Sequence, residues 1–84
     1  MLKYGFTIYG LEHFAPCEFY VTNQGNIFYH NQFLGFAKHP TIKTEEALAA
    51  HVFNMIKDGF SIETFSHDQL ENIFVKYNKV FNNE

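Results

Sequence analysis

The 84 residues contain no arginine, no tryptophan and a single cysteine, and each absence removes a class of function. Without Arg there is no guanidinium fork to grip guanine edges or phosphates bidentately. The six cations are all lysine, Lys3, Lys38, Lys43, Lys57, Lys76 and Lys79, and they are spread along the chain. Affinity for a polyanion grows with the number of cations set along one track, so direct nucleic-acid binding is not expected. A nucleic-acid mimic is not expected either, because duplex DNA shows one charge per ~1.7 Å, and a face of ~30 Å would need more carboxylates than this chain owns. The formal net charge is only −3. Cys17, being alone, forms no intramolecular disulfide and offers no cysteine cluster for zinc. No apolar run approaches membrane-spanning length, and Met1-Leu2-Lys3-Tyr4 lacks the apolar core of a signal peptide. A cytoplasmic, reducing location without membrane association is expected.

Aromatic residues are what the chain has in excess: eleven Phe and five Tyr, 19% of the sequence. Apolar residues reach 46% and charged ones only 18%, so there is surface to bury and little of the character of a disordered segment. The length suits a single domain, 1–84, with one modest core. That many rings exceed what so small a core needs, and a contact surface is the natural use of the remainder.

Periodicity divides the chain into a strand-rich half and a helical half. Tyr4, Phe6 and Ile8 alternate with Lys3, Thr7 and Tyr9, predicting a strand over about 3–9 with one buried face. Gly10 to Pro16 breaks that pattern. Two aromatic and β-branched runs, about 18–22 and 26–30, flank Asn23-Gln24-Gly25 and predict a hairpin. A weaker turn at Asn31-Gln32 leads to a further strand over about 33–37.

Thr44 is placed to cap a helix over about 45–58, with Glu45 and Glu46 complementing its positive end and Gly59 beyond its last turn. Leu48, Val52, Met55 and Ile56 form its apolar stripe. Phe60 to Phe65 reads as a linker or short strand. Ser66 and Gln69 then form a capping box, and Phe65 and Leu70 have the spacing of a hydrophobic staple, opening a helix over about 67–81. The polar tail Asn82-Asn83-Glu84 is expected to fray. The fold class is therefore α+β: an antiparallel sheet of three to four strands in the N-terminal half, packed against two C-terminal helices.

Reactive chemistry is thinly represented. His13, His30, His39, His51 and His67 form no metal-binding spacing on a helix, so neither metal nor cofactor is expected. The adjacent pairs Glu12-His13 and His67-Asp68 point apart on regular elements and suit loops or caps. An enzymatic alternative would use Cys17 as nucleophile with His13, His30 or His39 as base, but no Gly-rich turn suggests an oxyanion hole. Nor do the five scattered glycines form a phosphate-binding loop, and no small-molecule substrate is evident.

Leu34-Gly35-Phe36 followed by Thr44-Glu45-Glu46-Ala47 and Ala49-Ala50 resembles the last strand and helix of AP2-like and phage-integrase arm-binding domains. The likeness spans roughly Glu18 to Val52. It implies three strands packed on one helix, with the sheet reading DNA. The strands here carry aromatics where that family needs Arg or Lys, and His39-Pro40 lengthens the loop, so the layout transfers and the DNA role does not. A DNA-associated accessory domain using Lys38, Lys43 and the helix start at Thr44 is the alternative reading.

The leading expectation is a non-enzymatic protein-binding module that docks on another protein or on itself. Its size and its Asn- and Phe-rich composition suit an accessory protein of a phage or mobile element that inhibits a host or defence protein by steric blocking. Tyr4, Tyr9, Tyr20, Tyr29 and Phe33 are the expected anchors, because aromatics dominate interface hot spots, with Lys38 and His39 on a binding rim. Ile73, Phe74, Tyr77 and Phe81 form the stripe expected to support a homodimer.

Overall fold

Tyr4, Phe6 and Ile8 do fall on one side of a strand, but the sheet they enter is apolar on both faces. A computed structural model describes residues 1–82, so the expected fraying of Asn83 and Glu84 lies outside the described residues. The elements are β1 (Leu2–Tyr9), β2 (Cys17–Thr22), β3 (Ile27–Asn31), β4 (Gly35–Lys38), α1 (Glu45–Lys57), β5 (Ser61–Thr64), α2 (His67–Lys76) and α3 (Asn78–Asn82). The strands form one antiparallel sheet in the order β4-β3-β2-β1-β5. The α+β class is as expected, with five strands in place of three to four.

The additional strand is β5, from the segment read as a linker or short strand. Thr64 stands opposite Phe6 and Ile62 opposite Ile8, so β5 completes the free edge of the longest strand and sets Ile62 beside the same core. A second correction concerns β4. Asn31 pairs with Gly35, which leaves Gln32, Phe33 and Leu34 as a three-residue turn and removes Phe33 from the strand. The third concerns the last helix, which breaks at Tyr77 (φ −110°, ψ 29°) instead of running to 81. At the break the Tyr77 ring stacks on Phe36, centroids 4.2 Å apart, and α3 brings Phe81 edge-on to Phe28 at 4.9 Å and to Phe36 at 5.1 Å.

Local signals set the helix starts. Thr44 Oγ1 accepts the N–H of Ala47 at 3.1 Å. In the Ser66 box, Ser66 Oγ accepts the Gln69 N–H and Gln69 Oε1 accepts the Ser66 N–H, satisfying two otherwise unpaired donors. The hairpin closes through Thr22, whose backbone N–H donates to Asn26 O (3.0 Å) and whose Oγ1 accepts the Asn26 N–H (3.1 Å).

One face of the sheet packs Phe6, Ile8, Phe19, Val21 and Ile27 beneath Leu48 of α1. The other packs Tyr20 and Phe28 beneath Leu70 of α2 and Phe81 of α3. The sheet is thus the middle of three layers. Gly5 permits the second layer to approach: a Cβ there would lie 2.9 Å from Tyr20 Cδ1 and 3.0 Å from Leu70 Cδ2.

Candidate docking surface

The turn between β3 and β4 is stiffened by one side chain. Asn31 Oδ1 accepts the backbone N–H of Phe33 at 2.9 Å and of Leu34 at 2.7 Å. Asn is suited to this because its short amide reaches donors two and three residues on. Gly35 (φ +74°) then turns the chain back into β4 with a conformation most residues resist. With the Phe33 and Leu34 N–H groups satisfied from within, the turn leaves their two apolar side chains in solvent, Phe33 at 76% exposure and Leu34 at 67%. Beside it runs the β1–β2 loop, where Phe14 and Phe33 line a shallow depression of about 410 Å³ with His13 and Pro16. Phe14 is itself exposed and held edge-on against Phe60 at 4.6 Å.

The expected anchors do not form one surface. Register places Tyr9 and Phe33 near one end of the sheet, while Tyr4, Lys38 and His39 lie near the other. Tyr20 is a correction: it is completely buried, stacked between Phe36 (5.3 Å) and Phe65 (5.5 Å), and cannot anchor a partner. Its hydroxyl donates to Glu18 Oε1 at 2.8 Å, which also receives His30 Nδ1–H at 2.9 Å. Burial, then that carboxylate, pushes the Tyr20 phenol well above its ordinary range. Tyr29 is half-buried against the α1-side core. Tyr4 and Tyr9 keep partial exposure, and the Tyr4 hydroxyl donates to Glu45 Oε1 at 3.0 Å.

The stripe Ile73, Phe74, Tyr77 and Phe81 is also corrected, because all four pack toward the Tyr20 and Phe28 cluster and form core instead of a free dimer face. Lys38 is exposed at the end of β4, and His39 closes the Pro40 loop. His39 Nδ1 accepts the N–H groups of Thr41 (3.2 Å) and Ile42 (2.9 Å), and its own backbone N–H donates to Ile27 O. Burial, and secondarily the nearby His51, holds the His39 imidazole below its ordinary value.

Cys17 packs at the rim of the α1-side core with Sγ directed at Glu18 O, 3.9 Å away, and burial raises its thiol pKa. That shift disfavours a resting thiolate. Among the described residues no three His, Cys, Asp or Glu side chains converge as a metal ligand set. No helix of the described residues is long and apolar enough to cross a membrane. The face that would read DNA in the AP2-like layout is covered by α2 and α3, and Lys3 is engaged by Glu45 at 3.1 Å.

Leu34 and Phe14 were missed as surface residues, since alternation alone assigns Leu34 to a strand. The usable signal was Asn31 four residues before Gly35, the signature of an Asn-closed turn with a left-handed exit. Comparison with protein-family models, with curated proteins and with solved structures finds no match for this chain.

Proposed function

We propose that the protein is a non-enzymatic protein-binding module that inserts the Phe33-Leu34 knob into an apolar pocket of a partner protein. The observation that carries this reading is the Asn31 side chain holding both backbone N–H groups of the knob, because a turn fixed before contact loses less conformational entropy on binding. Phe33 and Leu34 are exposed on a three-residue turn, and an apolar pocket is the complement that desolvates both. Phe14 on the neighbouring loop supplies a second ring to the contact. Aromatic anchors filling a desolvated pocket dominate most interfaces of this kind.

The mode of action follows from the chemistry the chain offers. A pre-folded domain with a hydrophobic knob acts by covering a surface its partner needs, which suits a phage or mobile-element accessory protein that blocks a host or defence factor sterically. Size and composition support that source. The test is affinity for a partner captured from the native host: Phe33→Ala and Leu34→Ala each lower it by about tenfold or more while the fold is unchanged. Undiminished affinity in both variants rejects the knob.

A further inference from the structure

We infer that β5 is a pairing edge through which two copies of this chain join their sheets, with Ile62 opposite Ile62 of the partner copy. The inference stands apart from the knob, which lies in the β3–β4 turn, whereas β5 is the edge strand at the opposite side of the strand order.

β5 is the last strand of the sheet, bounded by β1 on one side only. Phe65 N–H donates to Gly5 O at 3.0 Å, and in an antiparallel ladder inward and outward residues alternate. Ser61 and Glu63 therefore bond to β1, whereas the N–H and C=O groups of Ile62 and Thr64 point outward. Their side chains lie on the α1 face, since Ile62 stands opposite Ile8 and Thr64 opposite Phe6. There α1 stops short of the edge and leaves an apolar groove of about 220 Å³, lined by Tyr4, Phe6, Leu48, Val52 and Ile62. On the 3.6-residue period Ala49, Phe53 and Ile56 follow Val52 around α1 toward that groove, and Phe53 and Ile56 are exposed.

Proteins normally guard such an edge by keeping it very short or with lysine, proline, a bulge or a covering segment. β4 and β5 are equally short, four residues each, so the other devices separate them. The β4 edge ends in Lys38 with Pro40 just beyond. β5 has neither, its register with β1 is regular, and its single charge, Glu63, points to the opposite face.

A second copy fits this edge by its own sequence. Outward residues must face outward residues, and Thr64 opposite Thr64 would leave Ile62 facing Ser66 beyond the strand, so two β5 strands that pair along their length do so with Ile62 opposite Ile62 or with Ile62 opposite Thr64. The second register sets Glu63 against Glu63 at about 4.5 Å between Cα atoms, a like-charge pair. The first sets each Glu63 against a Ser61 and joins the two isoleucines, and it is the one we assign. Both registers place the two-fold axis perpendicular to the sheet, so the two α1 helices share a face and their grooves open into each other. The dimer carries two knobs at its outer edges, which makes binding to a multivalent partner bivalent.

Sedimentation velocity across a concentration series reads the equilibrium directly. Wild type is expected to dimerise, and Thr64→Pro, which removes an outward N–H that β1 does not use, is expected to lower dimer affinity by about tenfold or more. In a Cys17→Ser background, Ile62→Cys should cross-link between copies under mild oxidation, because facing residues of a hydrogen-bonded pair sit about 5.5 Å apart. Glu63→Cys should not. A wild-type monomer throughout the series, a dimer untouched by Thr64→Pro, or cross-linking at 63 in place of 62 overturns the inference. If Thr64→Pro fails to fold, the cross-linking pair still decides.

Discussion

Asn31 Oδ1 receives the backbone N–H of Leu34 at 2.7 Å, a hydrogen bond that fixes the loop carrying the most exposed aromatic residue of the described chain. Replacing Asn31 by Ala removes the acceptor for two N–H groups at once. Because both donors can turn to water, the expected stability loss is only about 1 kcal/mol. The loop should loosen more than the fold does. Hydrogen exchange at the Phe33 and Leu34 amides should accelerate well beyond the global change, and partner affinity should fall even though both apolar side chains remain.

The packing of α3 gives a second prediction. Phe81 is buried against Phe28, Phe36 and Phe74, with Phe74 stacked on it at 5.5 Å. Phe81→Ala should cost about 3–5 kcal/mol in urea denaturation. Phe74→Asp should unfold the protein instead of yielding a soluble monomer, since it brings a carboxylate to an apolar cluster. A folded, monomeric Phe74→Asp protein would show that the stripe is a surface after all.

Gly5 makes a third. A methyl group there meets Tyr20, Leu70 and the Phe19 carbonyl at 2.9 to 3.0 Å, and two of those neighbours are core side chains. Gly5→Ala should therefore destabilise by about 1–3 kcal/mol through overpacking, in spite of alanine's lower unfolded-state entropy. A neutral result would mean that α2 sits farther from β1.

Stability should fall on mild acidification, through His39. Its neutral Nδ1 accepts two backbone N–H groups, and its folded pKa lies below the ordinary 6.5. The unfolded chain therefore binds the proton more readily. The contribution is complete above pH 6.5 and is lost as the pH falls from there through the folded value. His39→Asn keeps a possible acceptor without titrating and should flatten that part of the profile. Glu45 acts in a lower window: hydrogen bonds from Lys3 and Tyr4 depress its pKa below 4.5, so its contribution is present above that value and lost in stronger acid. Urea midpoints between pH 7.5 and 3 for the two His39 forms separate the windows.

What could be read from sequence was local. Thr44, Ser66 and Gln69 announce their helices because capping needs residues only three apart, and the Asn23-Gln24-Gly25 hairpin is equally short-range. β5 depends on β1, more than fifty residues away in sequence, and four residues of weak alternation do not reveal that pairing. The misplacement of Tyr20 has a different origin. Alternation separates two faces of a strand but does not say that both are covered. The unbroken runs Phe19-Tyr20-Val21 and Ile27-Phe28-Tyr29 are the mark of a sheet buried on both sides. Much of the aromatic surplus thus belongs to a second core layer, and of the expected anchors Phe33 alone is both large and mostly exposed. Its place in a turn was hidden because Phe33-Leu34 continues the apolar pattern of a strand.

The knob is tested most directly by photo-cross-linking from position 33 in native host extract, with a benzophenone amino acid in place of Phe33. Val75 on α2, 75% exposed and outside the knob, is the control position. The expected result is one protein adduct from position 33, absent from position 75, and suppressed by excess wild type but not by excess Phe33→Asp. Identical adducts at both positions, or equal suppression by the two competitors, would contradict the assignment of Phe33 and Leu34 as the docking surface.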